Sequence, residues 1–522
     1  MKRLFVFQVL IIVAALSGCS SGGGKGNEII TPGNFINVKI SADFQASVEY
    51  PENFSRLVQY DGIEATRVYD LVNLKATLNA AHDELTLELG NKGERDFNRL
   101  WLISVSGINA ALLNPDARNK RDQGVTVYGP INKGGSLSRK FRVRVDSVPA
   151  VISFDCIEVK DRIVYSSNKG FALYRRNWTM APDKSNIFQV TSSPNQLIQQ
   201  ASPSWSPGME WIAYDELDYG STAYQEIIYV AHPDGAPPVQ VTDSGKFSEL
   251  PYFSPTGKEV VYICQLRFPT SPIDICTHGI YGGSETDLIR VDGFYWDGSQ
   301  YQQYASQHWY NDKVFNPRYT PDGNYITFTA QEPDAAPSPE ALANRMSMIA
   351  MPYDPLSSKA KAAPFRAGRL IDGDTIASSG KFLGLGECVP SFSPDGKYMF
   401  CFLREYVKSN VWKLDFYGLA RISVQDLLAS PDDYFGDHVL RIYDIRNFQA
   451  QTKALYINYP EYVPQLNGIL FSLKWNDYTV DMDILNVDSN MQPVSEPKIF
   501  YSDVLINWTP RIPYQLFPGL YK

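Results

Sequence analysis

Pro390-Ser391-Phe392-Ser393-Pro394-Asp395-Gly396, followed at once by the apolar run KYMFCF, is the stretch on which the fold turns. Ser-Pro-Asp-Gly places Pro second and Gly last, the preference of a type I turn, so two strands meet there in a tight hairpin. The same sentence is written elsewhere. Pro203-Ser204-Trp205-Ser206-Pro207-Gly208 precedes EWIAY, Pro251-Tyr252-Phe253-Ser254-Pro255-Thr256-Gly257 precedes EVVYIC, and Pro317-Arg318-Tyr319-Thr320-Pro321-Asp322-Gly323 precedes NYITFT. Pro464-Gln465-Leu466-Asn467-Gly468 before ILFSL reads as a worn fifth copy, and Ile506-Asn507-Trp508-Thr509-Pro510 as a truncated sixth. Self-similarity at this period marks a repeat architecture built of small sheets, with the aromatic before each turn filling the space between neighbours.

Working outward, most copies are followed by further apolar runs, EIIYVAH, NVWKLDF and TVDMDIL among them, which supply a third strand for a four-stranded unit. The copies begin at 203, 251, 317, 390, 464 and 506, so the long middle intervals hold insertions. Ser338-Pro339-Glu340-Ala341-Leu342 has a helix start signal within one of them, and in RISVQDLL Ser423 and Asp426 have capping-box spacing. DRIVYSS at 161–167 reads as a second strand with no Pro-aromatic strand before it, whereas the copy at Trp508 has no full unit after it. The C-terminal strand is therefore expected to complete the first unit and lock a ring; the alternative is that SFDCIEV supplies the missing strand and leaves the arrangement open or seven-membered.

These motifs, P-x-[WFY]-[ST]-P-[DT]-G with a trailing apolar run, resemble the TolB-type six-bladed β-propeller repeat over roughly the last two-thirds of the chain. The resemblance implies an all-β ring over residues 150–522 and a role in contacts between envelope proteins. The chain departs from TolB in what stands before the ring, so membership of that system does not carry over. From about Asn37 to Val148 short period-two runs (VKISA, ASVEY, ELTLELG, RLWLISVSG, GVTVYGP, SRKFRVRV) predict an antiparallel sandwich over residues 36–149. Its strand count suits an immunoglobulin-like module, and it resembles those found ahead of larger domains in exported bacterial proteins.

At the other end of the chain, Lys2 and Arg3 precede the apolar stretch Leu4 to Leu16, too short to span a bilayer and closed by small residues, the pattern of a signal peptide over residues 1–18. Leu16-Ser17-Gly18-Cys19 resembles the bacterial lipobox, which implies lipid attachment at Cys19 and anchoring in the membrane. The residue after it is Ser20 rather than an acid, which by resemblance to enterobacterial sorting points to the outer membrane. Residues 19–35, rich in Ser and Gly, read as a flexible tether. The 522 residues carry a net charge of −9 and a pI near 5.3, which argues against nucleic acid as a partner.

Export makes the cysteines disulfide candidates. If Ser393 faces Gly396 across the turn, Cys388 and Cys401 are direct cross-strand neighbours, and a Gly bulge there would spoil the match. Cys264 and Cys276 end two neighbouring runs and could pair in the same way, leaving Cys156 buried and inert. Catalytic motifs are wanting: the chain has no Gly-x-Ser-x-Gly elbow, no haem-attachment motif and no EF-hand loop around Asp372/Asp374, Asp432/Asp433/Asp437 or Asp481/Asp483. The five histidines, His82, His232, His278, His308 and His438, do not recur at matching repeat positions, so no metal or cofactor is expected. The polar, aromatic stretch at 300–312 puts Tyr301, Tyr304, His308, Trp309 and Tyr310 together, a composition suited to a contact surface. The expectation is a lipid-anchored, non-enzymatic platform for a protein or peptide; the alternative is a carbohydrate- or ester-active propeller enzyme using channel carboxylates.

Overall fold

A computed structural model describes residues 34–511 apart from 169–173, 196, 221–224, 244, 266–272, 284, 291–293, 297–300, 304–313, 332–345, 356, 363–364, 367–370, 373–379, 385–390, 394, 409–411, 430–437, 447–455, 475–479 and 502–505. The described chain is nearly all strand. Its first part is a two-sheet sandwich. One sheet runs through Ile36–Ile40, Ala150–Val159, Leu100–Ile108 and Gly124–Tyr128; the other orders Val72–Leu78, Glu84–Asn91, Ser136–Val145 and Ala110–Leu112. The second sheet alternates buried and exposed residues, as a half-solvated antiparallel sheet must, and its Leu74, Leu85, Leu87 and Phe141 meet Val38, Leu102 and Ile152 of the first.

The strand Ala150–Val159 sits between Ile36–Ile40 and Leu100–Ile108, so the sandwich extends to residue 159 instead of ending at 149. The repeated motif alone could not reveal this, because SFDCIEV is as apolar as a ring strand; pairing with the first strand of the chain claims it. That also removes SFDCIEV as a candidate for closing the ring.

Six larger antiparallel sheets follow among the described residues, with the two-stranded pair Phe294–Trp296 and Tyr301–Gln303 falling between the third and fourth in the chain. The first joins Ile163–Ser167, Arg176–Met180 and Phe188–Gln189 to Ile506–Arg511 from the far end of the chain. The second holds Ile198–Trp205, Ile212–Asp218, Glu226–Ala231 and Val239–Gln240, and the third Phe247–Phe253, Glu259–Gln265, Ile273–Gly279 and Thr286–Arg290. Val314–Tyr319, Tyr325–Gln331 and Met346–Asp354 build the fourth, Ser391–Phe392, Tyr398–Lys408, Trp412–Ser423 and Val439–Asp444 the main part of the fifth, and Tyr456–Val463, Gly468–Lys474, Val480–Asn486 and Lys498–Tyr501 the sixth. Each packs on the next. Tyr252, Ile326 and Phe392 share one apolar cluster across the third, fourth and fifth sheets, Phe402 meets Phe471 between the fifth and sixth, and Ile163 and Tyr165 meet Leu470 and Met482 between the sixth and first. This is a β-propeller closed by its last strand. Middle strands such as Glu259–Gln265 are buried along their whole length because sheets cover both faces.

The hairpins explain the motif. Thr320 Oγ1 and Ser393 Oγ donate to Asp322 and Asp395 at 2.6 Å, and each Asp accepts the amide two residues on. Gly257, Gly323 and Gly396 are left-handed, with φ of 68°, 72° and 73°. In the copy at 203 that place belongs to Met209 (φ 61°), not to Gly208. Ser393 donates its amide to the Tyr398 carbonyl, so residues 394–397 form the loop and Ser393 does not face Gly396. Cys388, the candidate partner of Cys401, lies outside the described residues.

The first Pro of each copy has its own role. The innermost strands break register between Ala201 and Ser204, Glu249 and Tyr252, and Phe315 and Arg318, with Ser202, Leu250 and Asn316 left-handed just before the Pro. A bulge takes the Pro, which has no amide to give, out of the ladder. The sixth sheet breaks between Asn458 and Glu461, which identifies Pro460-Glu461-Tyr462-Val463-Pro464 as the fifth copy and moves its start from 464 to 460. The helix Val424–Ala429 starts as its spacing suggests, with the Asp426 amide donating to Ser423 Oγ at 3.3 Å; the segment Ser338–Leu342 lies outside the described residues.

Among the described residues, the turns between first and second, and third and fourth, strands of a sheet lie at one end of the ring, and there the sandwich docks. Trp101 Nε1 donates to the Gly208 carbonyl at 2.8 Å, Arg99 Nε to the Pro207 carbonyl at 2.8 Å, and Trp211 Nε1 to the Asp116 carbonyl at 3.1 Å. The Lys120 amide donates to Asp234 at 2.7 Å, and Asp234 also holds His232 Nδ1 at 2.8 Å. Gly62 takes φ +66° against the Pro233 carbonyl, which a Cβ would strike at 2.0 Å. Trp101, Ile103, Val125 and Val127 of the sandwich share a core with Trp205, Met209 and Tyr214 of the ring. The two parts are one packed body.

Glu210 is fully buried in this joint, hydrogen-bonded by Ser206 Oγ at 2.9 Å. Burial first, and then the nearby Asp116 carboxylate, push its carboxyl up to about 8, against a pull from Arg99. A raised folded pKa means the native state holds a proton that the unfolded chain has released, so stability falls as pH rises from the ordinary carboxyl range toward 8 and is level above it. Glu210→Gln is expected to remove this part of the slope, roughly 3–5 kcal/mol across the window at about 1.4 kcal/mol per unit. Denaturation midpoints of both proteins at pH 5 to 9 measure it; parallel curves would rule the group out.

Candidate functional site

The opposite end of the ring carries the loops between second and third strands and the connections from sheet to sheet. The strand Ile212–Asp218 ends there as Asp215-Glu216-Leu217-Asp218-Tyr219, an acid-rich finish where its counterparts read YICQ and FTAQ. Asp215 and Glu226 lie on adjacent strands and face the same side, because Asp215 pairs with Ile228 and Leu217 with Glu226. Their carboxyls are hydrogen-bonded to each other.

Asp215 is 2% exposed and also accepts the Leu250 amide at 3.2 Å from the next sheet's bulge. Burial raises both carboxyls, and the repulsion of Asp215 and Glu249 adds to the rise at Glu226. On the opposite face of the sheet Gln200 Nε2 donates to Glu216 at 2.8 Å, and burial lifts Glu216 as well. The Arg175 guanidinium partly offsets this charge. At the rim Tyr174 and Tyr219 bring their rings to 5.2 Å, and Tyr219 and Leu197 are 46% and 44% exposed. An acidic mouth edged with aromatic and apolar surface can hold a basic, extended segment through charge and cation–π contact. The carboxyl pair itself is too deeply buried to meet a substrate.

The aromatic stretch at 300–312 falls between the third and fourth sheets in the chain. Its described part is strand, Tyr301–Gln303 pairing with Phe294–Trp296. Tyr304, His308, Trp309 and Tyr310 lie outside the described residues, as do Asp374, Asp432, Asp433, Asp437 and Pro394. Among the described histidines, His82 stacks on Phe44, His278 Nδ1 contacts the Gly279 carbonyl, and His232 belongs to the sandwich joint. Asp483 is buried and pushed up to about 7 by burial and by Asp481. Cys156 is a buried free thiol whose pKa burial raises. Cys264 and Cys276 are disulfide-bonded across adjacent strands of the third sheet, with Cα atoms 6.2 Å apart. A cavity of about 620 Å³ opens at the turn end between Thr320, Asp322, Tyr325 and Asp395, Tyr398, Gln425, but both of its aspartates are taken up by their own turns. The acidic mouth escaped the sequence reading because acids at a strand end look like solvated loop residues; its one signal was the contrast of YDELDYG with the apolar endings of the other copies.

No family model and no curated protein matches the chain. Among solved structures it is similar to a protein from Agrobacterium tumefaciens assigned as TolB, at 15% identity over 65% of this chain and 88% of that one, with a TM-score of 0.36. The β-propeller domain of the trilobed protease from Pyrococcus furiosus matches at 12% identity over 59% and 84%, TM-score 0.30. An oligogalacturonate lyase from Vibrio parahaemolyticus matches at 8% identity over 82% and 100%, TM-score 0.35.

Proposed function

We propose that this chain is a lipid-anchored platform of the cell envelope: attached to the outer membrane through Cys19, seated on an immunoglobulin-like sandwich, and offering the open end of a six-bladed, TolB-type propeller to a protein or peptide partner. The observation that carries this reading is the asymmetry of the ring. The sandwich docks on the turn end at the second and third sheets, while at the far end the second sheet carries Glu216 and Asp218 on one face, with Glu249 near Asp215 and Glu226 on the other, beside exposed Tyr219 and Leu197. The partner that fits presents basic side chains. The acidic balance of the whole chain speaks against nucleic acid.

No helix among the described residues is long and apolar enough to cross a membrane. The anchor of this proposal is the acylated Cys19 alone, with the tether allowing the body to stand off the lipid. The competing enzyme reading is tested on the same preparation: metal analysis and a screen of sugars and lactones should give no stoichiometric channel metal and no turnover, while crosslinking in intact cells should return one reproducible partner. Turnover dependent on the mouth carboxylates would overturn the platform.

A further inference from the structure

In the third sheet the sulfur atoms of Cys264 and Cys276 and a carboxylate oxygen of Glu285 all lie within 4.8 Å of one another. Both cysteines are buried, at 2% and 0% exposure, while the Glu285 side chain reaches the surface with 18% exposed. The carboxylate is held in place from two sides: Tyr262 donates its hydroxyl to Oε2 at 2.5 Å, and Lys246 Nζ pairs with Oε1. Two sulfurs and an oriented carboxylate are a donor set for a thiophilic cation, and outer partners that fix a ligating carboxylate are what such sites require.

We propose that this cluster is a redox-gated site for a zinc-like divalent cation. In the oxidised form the disulfide staples two strands. A dithiol passes two electrons and two protons to the S–S bond, closing its own disulfide and leaving Cys264 and Cys276 as thiols. A divalent cation then displaces the two thiol protons and is held by two thiolates and Glu285, with the remaining position open to water. Two thiolates and a carboxylate carry three negative charges; Lys246 and the cation return three positive ones, so the site is neutral. The third sheet stays cross-linked in either state, by a covalent bond or by coordination.

The test uses the full chain, reduced with a phosphine and freed of reductant without air, then titrated with Co²⁺ and back-titrated with Zn²⁺. One equivalent of cobalt with a thiolate-to-metal charge-transfer band, displaced by zinc, is expected, and the oxidised protein should give none. Glu285→Gln keeps both cysteines and the disulfide, and should weaken binding at least tenfold. Cys264→Ser with Cys276→Ser should abolish the band while Cys156, Cys388 and Cys401 remain. The proposal is overturned if reduced wild-type protein shows no thiolate band, if the band survives the double substitution, or if Glu285→Gln binds cobalt as tightly as wild type.

Discussion

Trp101→Ala is expected to destabilise the chain by about 3–5 kcal/mol and to separate unfolding of the sandwich from that of the ring. Trp101 is fully buried and stands where the two parts meet. Its indole packs with the ring's Trp205 and Met209 in one core, tilts against His232 at 5.5 Å, and donates Nε1 to the Gly208 carbonyl. Truncation leaves a cavity and an unpaired buried carbonyl together, and each adds to the cost. The joint has other members, Arg99 on Pro207 and Lys120 on Asp234, so contact is weakened without being lost. Urea unfolding followed by two probes, one in each part, should coincide for wild type and split for the variant. A single unchanged transition would mean that the joint contributes little to stability.

A chain ending at residue 505 is expected to lose about 5 kcal/mol or more, enough to leave it aggregating or largely unfolded. The strand Ile506–Arg511 pairs with Ile163–Ser167, Val164 opposite Arg511 and Ser167 opposite Ile506, and lies against the sixth sheet. Without it the first sheet presents an open edge, and the core of Ile163, Tyr165, Leu470, Met482 and Phe500 is uncovered on one side. Soluble yield and hydrogen exchange at Val164 to Ser167 measure the effect. Full solubility with protected amides in that strand would show that closure does not depend on the C-terminal strand.

How much of this was readable in advance follows from what each residue type constrains locally. Ser393, Asp395 and Gly396 make a turn by their own chemistry, so the hairpins, and through them the ring, could be read from the chain. Closure could be inferred because one unit lacked a strand and another had one to spare. The sandwich boundary could not: Ala150–Val159 is placed by pairing with Ile36–Ile40, more than a hundred residues earlier. The Pro of each copy marks its position but not its reason, a bulge visible only in the ladder, and so the motif alone places the fifth copy at Pro464, four residues late. The acidic mouth depends on which strands bring Asp215, Glu226 and Glu249 together, a matter of topology and not of local pattern.

The direct test of the proposed platform is site-specific photocrosslinking in intact cells from two positions of the same protein, Tyr219 at the open end and Lys397 at the turn end. Both are exposed, and each belongs to a different end of the ring. One reproducible protein adduct is expected from position 219, lost when Asp218 and Glu249 are changed to Lys, and none from position 397. An adduct from 397 alone, or one from 219 indifferent to those charge reversals, would contradict the platform.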